Sequence, residues 1–252
     1  MSETTPTTAL FVTCLVNLFR PQAGFAAAKL LQDAGCEVVA PEAQTCCGQP
    51  PYNNGDNDSA RAMAQDVIEL LEGYERVIVP SGSCAGMLVE HYPRLFESDP
   101  EWNARATALA ARVRELTQFL AEDLGLEDLP FEAPTGPVAI HDSCSARREM
   151  RILDPPRRLL GDKVDLREPE DAEQCCGFGG AFCVKFPDIS ERMASDKCAH
   201  IAESGAELLV SGDMGCLLNI AGRMHREGRK VRAFHIAELL AGNTDAPGIA
   251  ES

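Results

Sequence analysis

Short β-prone apolar runs alternate along this chain with longer stretches in which apolar residues recur every three or four positions. The first runs cover 10–13 and 37–40. Between them lies an alanine-rich stretch that opens at Pro21 and closes at Gly35, the proline-first, glycine-last punctuation of a helix. A helix over 59–71 and a strand over 76–80 follow. The same order then returns: strand 137–140, a short helix 157–160 stopped by Gly161, strand 163–166, helix 189–203 and strand 207–211. A last strand, 231–234, and a short helix, 236–240, come after it. Two segments interrupt the recurrence. Residues 100–124 read as one amphipathic helix, with Asp99 as N-cap and Ala106, Leu109, Ala110, Val113, Leu116, Leu120 and Leu124 at helical spacing. Residues 129–137, with three prolines and a glycine, read as a linker.

Strands alternating with helices predict an α/β fold of parallel sheets covered by helices. The recurrence predicts two similar units related by a pseudo-twofold axis. They are 1–128, including the 100–124 helix, and 138–241, joined by 129–137 and followed by a flexible tail, 242–252.

Eight of the eleven cysteines repeat with these elements. Cys14, the adjacent pair Cys46 and Cys47 followed by Gly48, and Cys84 form one set. Cys144, the pair Cys175 and Cys176 followed by Gly177, and Cys216 form the other, displaced by 130, 129 and 132 residues. They fall at or beyond the carboxyl ends of predicted strands, the edge at which open α/β sheets bind ligands. Three chain-distant segments per half thereby converge on one place. Four thiols at matched spacing are a ligand set, and thiolate is the soft donor that selects iron–sulfur clusters, zinc or copper(I). Adjacent cysteines make poor disulfide partners, yet two consecutive thiolates can hold neighbouring metal atoms. The knuckle that commonly delivers paired cysteines to structural zinc is missing from both sets.

Composition narrows the setting. At 252 residues, 45% apolar and 25% charged, the chain has room for one large domain or two ordinary ones. A formal charge of −16 disfavours nucleic acid and anionic membranes as partners, because both need a basic face. The apolar runs are too short and broken for a membrane span. Residues 1–8 lack a basic leader and 9–16 are too short for a secretory core, so a reducing cytoplasm is expected, where clustered thiols serve as metal ligands or redox groups.

The doubled Cys…Cys-Cys-Gly…Cys pattern resembles the cysteine-rich CCG domain of heterodisulfide reductase, of the glycolate oxidase iron–sulfur subunit and of lactate utilization proteins. Thr45-Cys46-Cys47-Gly48-Gln49-Pro50, Pro80-Ser81-Gly82-Ser83-Cys84, Cys175-Cys176-Gly177-Phe178-Gly179-Gly180 and Gly215-Cys216 are most similar to the short, two-unit form, the lactate utilization protein A family. The resemblance implies an iron–sulfur subunit of a complex that oxidises L-lactate to pyruvate. It implies a cluster in each half, of the 4Fe–4S kind that four cysteines can hold, with zinc as the alternative occupant of one half. It also implies partners: a larger ferredoxin-like iron–sulfur subunit and a third small subunit. In heterodisulfide reductase a fifth cysteine stands three residues before the last. Ser81 and Asp213 hold those places here, which argues against that enzyme's double cluster and its thiol–disulfide chemistry. Each of these two residues either offers an oxygen ligand or caps the helix that follows. A zinc-stabilised scaffold and a heterodisulfide-type reductase subunit are the rival readings.

The halves differ beside the cysteines. His141 and Asp142 precede Cys144, where Phe11 and Val12 precede Cys14, and these two are the candidate catalytic residues. His141 reads either as a proton carrier or as a hydrogen-bonded histidine at a strand end. Together with the glycine-rich loop after Cys176, the pair makes the second half the expected point of contact with a small hydroxy-acid substrate or an electron donor. Arg147, Arg148 and Arg151 either bind a carboxylate or form a solvated helix face. Cys36 and Cys198 read as core residues, and Cys183 as a spare thiol near the second set. Flavin, nicotinamide and phosphate-loop motifs are missing.

Overall fold

The computed structural model describes residues 7–251; residues 1–6 of the first unit and Ser252 of the tail lie outside them. Strands β1 (Thr7–Leu10), β2 (Glu37–Val39), β3 (Arg76–Val79) and β4 (Val113–Glu115) form one parallel sheet in the order β2-β1-β3-β4. Strands β5 (Val138–Ile140), β6 (Leu208–Ser211) and β7 (Arg232–His235) form a second parallel sheet in the order β5-β6-β7. Val77–Val79 of β3 and Leu208–Val210 of β6 are apolar and buried throughout, as strands covered on both faces must be. The architecture is α/β with two similar units.

The segment 100–124 is not one helix. A helix Pro100–Ala110, capped as expected by Asp99 accepting from the Trp102 N–H at 3.3 Å, is followed by β4 and then by a new helical start at Leu116. Strand β4 pairs with β3 in parallel register. Its buried Val113 falls on the same spacing as the helical stripe of Ala106 and Leu109, so periodicity alone runs the two elements together. This turns an apparent interruption into part of the repeat. Strand β4 and the Leu116–Gln118 turn match β7 and the helix Ile236–Leu240, and both are entered through a buried capping side chain, Glu115 and His235.

Three further boundaries differ from the sequence reading. The first strand runs 7–10, because Thr13 adopts φ 72° and turns the chain immediately before Cys14 opens the helix Cys14–Phe19. The strand over 163–166 reduces to one bridge, Val138 with Leu166, since Pro169 has no N–H with which to extend a ladder. The segment 242–252, expected to be flexible, packs along β7 as far as it is described. The Ile249 N–H donates to the Ala233 carbonyl at 2.8 Å, and Arg232 donates to the Thr244 and Ala246 carbonyls.

The units share a core. Leu10, Leu30, Leu116 and Phe119 from the first pack with Ile140, Leu159, Val210, Phe234 and Leu239 from the second. At their junction Asp213 approaches Ser81, the residue at the matching place of the other unit, at 3.4 Å. A residue that meets its own counterpart lies on the twofold axis, here a pseudo-axis between unlike residues. Among the described residues no helix is long and apolar enough to cross a membrane.

Candidate metal centres

In the first half, Cys14 opens a helix after β1, Cys46 and Cys47 lie in the loop beyond β2, and Cys84 lies in the helix Gly82–Gly86 after β3. These segments bring the four free thiols together: Cys46 accepts hydrogen bonds from Cys14 and Cys47, and the Cys47 thiol donates to the Cys84 sulfur at 3.4 Å. The second half repeats the chain of contacts from Cys144 through Cys175 and Cys176 to Cys216. Gly48 and Gly177 make the sharp turn in each, at φ 80° and 83°, a conformation that costs other residues about 1–2 kcal/mol. A Cβ on Gly177 would meet the Ser190 carbonyl oxygen at 2.9 Å. The second cysteine of each pair is buried, and its carbonyl is satisfied by a side chain: Tyr92 Oη donates to Cys47 at 2.9 Å, and Asn219 Nδ2 to Cys176 at 2.8 Å.

Crowded thiols share their protons unevenly, Cys47 donating to both Cys46 and Cys84 and Cys176 to both Cys175 and Cys216. Hydrogen bonds from Cys14 and Cys47 hold Cys46 down to about 3, and hydrogen bonds from Cys144 and Cys176 hold Cys175 down to about 2. Cys14 and Cys144 are pushed up by giving those bonds and by burial, as are Cys47 and Cys176. Negative charge gathered on several thiolates in so small a volume needs a cation. A soft metal ion or metal cluster is the cation that four such sulfurs fit.

The sets differ in their surroundings. In the second, the ligating atoms of His141, Cys176 and Cys216 lie within 4.8 Å of one another, all three residues being buried. Neither ring nitrogen of His141 has a hydrogen-bond partner among the described residues, so it is not the hydrogen-bonded strand-end histidine that its position suggests. Burial, and then the nearby Lys197, hold its pKa down to about 3. Lys197 is 1% exposed and donates to the Asp171 and Ala172 carbonyls at 2.8 and 3.3 Å, its pKa lowered by burial. The sequence does not mark this lysine as chemical, although the repeat offers a signal: the shift that pairs Met63 with Met193 pairs Val67 with Lys197.

Asp142 turns to Arg157, which it meets at 2.9 Å, and Arg157 also reaches Glu168. Arg147 pairs with Glu173. Cys198 is buried and raised to about 12 by burial, a core thiol, and Cys36 packs at the edge of the core. Cys183 points to the Gly180 carbonyl at 3.5 Å. Ser81 caps the Gly82–Gly86 helix by accepting from the Cys84 N–H at 3.3 Å. Asp213 does not cap its own helix; it crosses the junction to accept from the Ser83 N–H at 2.8 Å and the Ser83 hydroxyl at 2.7 Å.

A cavity of about 270 Å³ opens on the first set, lined by its four cysteines and, from the other unit, by Phe178, Gly180, Met214 and Asp213. This cavity approaches the first thiol set, while the contact with substrate or electron donor is expected at the second.

The cysteine-rich domain family, CCG, matches residues 8–89 and 138–221. Lactate utilization protein A of Geobacillus kaustophilus is 47% identical over 234 residues, covering 92% of this chain and 97% of that protein. The protein of the same name from Oceanobacillus iheyensis is 44% identical over 242 residues, covering 95% and 98%. The chain belongs to the lactate utilization protein A family. In this member of the family the structural repeat continues past both matched stretches, through β4 and β7. A crystal structure of a hypothetical protein from Helicobacter pylori shares the fold, with a TM-score of 0.61 at 14% identity. It covers 97% of this chain, which spans half of that protein's length.

Proposed function

We propose that this chain is an iron–sulfur subunit of a cytoplasmic complex that oxidises L-lactate to pyruvate. One centre is held by Cys14, Cys46, Cys47 and Cys84, the other by Cys144, Cys175, Cys176 and Cys216. The observation that carries the reading is the pair of four-thiol constellations, each built from three chain-distant segments. The names of the relatives supply the lactate. Clusters of the 4Fe–4S kind bound there would store and pass single electrons.

The chain's own residues hold and shield such groups. Phe178 covers Gly215, beside Cys216, and the backbone N–H groups of Gly177 and Phe178 point at the Cys175 and Cys176 sulfurs at 3.4 and 3.5 Å. N–H donors at sulfur stabilise added negative charge. The cavity on the first set is lined by Asp213 and, among the described residues, by no lysine or arginine. A hydroxy-acid carboxylate finds no counter-charge there, which supports placing the oxidation on a partner, the larger ferredoxin-like subunit or the third small one. Exposed Leu18 and Phe19 after Cys14, and Val184 and Phe186 after Cys176, give apolar surface for docking near both sets. The mixed nitrogen and sulfur donors around His141 favour a second reading for one half, a structural zinc.

The test is anaerobic purification with metal analysis and a visible spectrum. Iron and sulfide in both halves, with lactate-dependent electron transfer only after the partners are added, is the expected result. Colourless protein with two zinc ions per chain would replace it with the scaffold reading.

A further inference from the structure

We propose that His141 is a nitrogen ligand of the metal in the second centre, giving that half five donors where the first has four. The inference rests on the second set being metal-loaded, not on which metal it holds.

His141 directly follows β5 and is 4% exposed. Both ring nitrogens are buried without a partner among the described residues, a state that burial penalises unless something pairs them. The imidazole is not turned towards Asp142, whose carboxylate is taken by Arg157. It stands with Cys176 and Cys216, its nearer nitrogen within 4.8 Å of both sulfurs. That proximity suits donors around a shared metal site, and neither nitrogen makes a hydrogen bond to those sulfurs. The matching place in the first half holds Phe11, fully buried, so the fold requires only a large ring there. Nor does the extra donor come from the position three residues before Cys216, because Asp213 is occupied by Ser83.

The decisive measurement is pulsed EPR on the reduced, iron-loaded full chain grown with ¹⁵N-histidine. A nitrogen coupling of directly bonded size that shifts with the label, and that His141→Phe abolishes while iron stays bound, is expected. A coupling no larger than that of backbone nitrogens, or one unchanged in His141→Phe, would overturn the assignment. Because the labelled unsubstituted protein is informative by itself, a poorly folding variant does not blunt the test. If the second set holds zinc, zinc-edge X-ray absorption decides: a nitrogen in the first shell supports the ligand, and a shell of sulfur alone refutes it. If Cys47→Ser leaves the chain with no metal of any kind, the second set is empty and both this inference and the functional reading fall. Metal present without histidine nitrogen removes the inference alone.

Discussion

The two thiol sets share a backbone plan and differ in the walls around it. Each has a left-handed glycine after the pair, a buried second cysteine and a side chain on that cysteine's carbonyl. Around the first set stand Phe11 and Val67, with Cys14 exposed and a cavity in front. Around the second, the same two places hold His141 and Lys197, both buried, and Cys216 is enclosed. Duplication has kept the donor geometry and let the neighbouring charge diverge. On the proposed assignment, Lys197 and the N–H donors at Cys175 and Cys176 stabilise added negative charge, so the second centre is the one expected to hold an electron more tightly.

Removing one donor tests the separateness of the sets most severely. Cys176→Ser should cut iron per chain by about half, as should Cys47→Ser from the other side, the site loss following from a missing thiolate. If either substitution strips all the iron, the two sets act as one centre.

The capping pair at the junction gives the next effect. Burial raises Glu115 from 4.5 to about 7 and lowers His235 from 6.5 to about 4. The folded chain thus binds Glu115's proton more tightly than the unfolded chain does, and stability from this group falls as pH climbs from 4.5 to 7. For His235 the unfolded chain binds the proton more tightly, and stability rises between 4 and 6.5. The two trends oppose each other. Relative to wild type, Glu115→Gln should gain on the order of 3 kcal/mol across its window and His235→Asn should lose a similar amount across its own. Urea unfolding at several pH values reads both. Parallel profiles for all three proteins would show that neither group titrates there.

The glycines differ by a smaller margin. An added Cβ meets backbone oxygen at 2.9 Å at Gly177 and at 3.4 Å at Gly48. Gly177→Ala should therefore lower stability by about 2 kcal/mol more than Gly48→Ala, the excess being overpacking beyond the left-handed strain common to both. Equal losses would mean that the second loop yields. Smallest of all, Tyr92→Phe and Asn219→Leu should each cost about 1 kcal/mol by leaving a cysteine carbonyl unpaired. A cost confined to one would show that the carbonyl is supported in only one half.

What could be read in the residues was whatever the repeat states twice. The cysteine spacing, the helix Pro21–Asp33 between Pro21 and Gly35, and the parallel α/β layout follow from patterns that recur. Strand β4 hid because buried residues of a three-residue strand fell into step with the helix before it. The bond from Asp213 to Ser83 hid for another reason: a capping residue in sequence normally serves its own helix, and this one serves a helix 130 residues away. His141 was visible as chemistry, while the absence of any partner for its ring needed coordinates.

Asp213 and Ser81 meet on the pseudo-axis, and each stands three residues before the last cysteine of its set. The two sets are consequently back to back, with Met214 and Gly215 of one unit forming the wall of the cavity that faces the cysteines of the other. Two centres at opposite ends of a molecule would serve two customers independently. Centres that share one wall, on the proposed assignment, are electrostatic neighbours: a change of charge in one is felt by the other through few intervening residues.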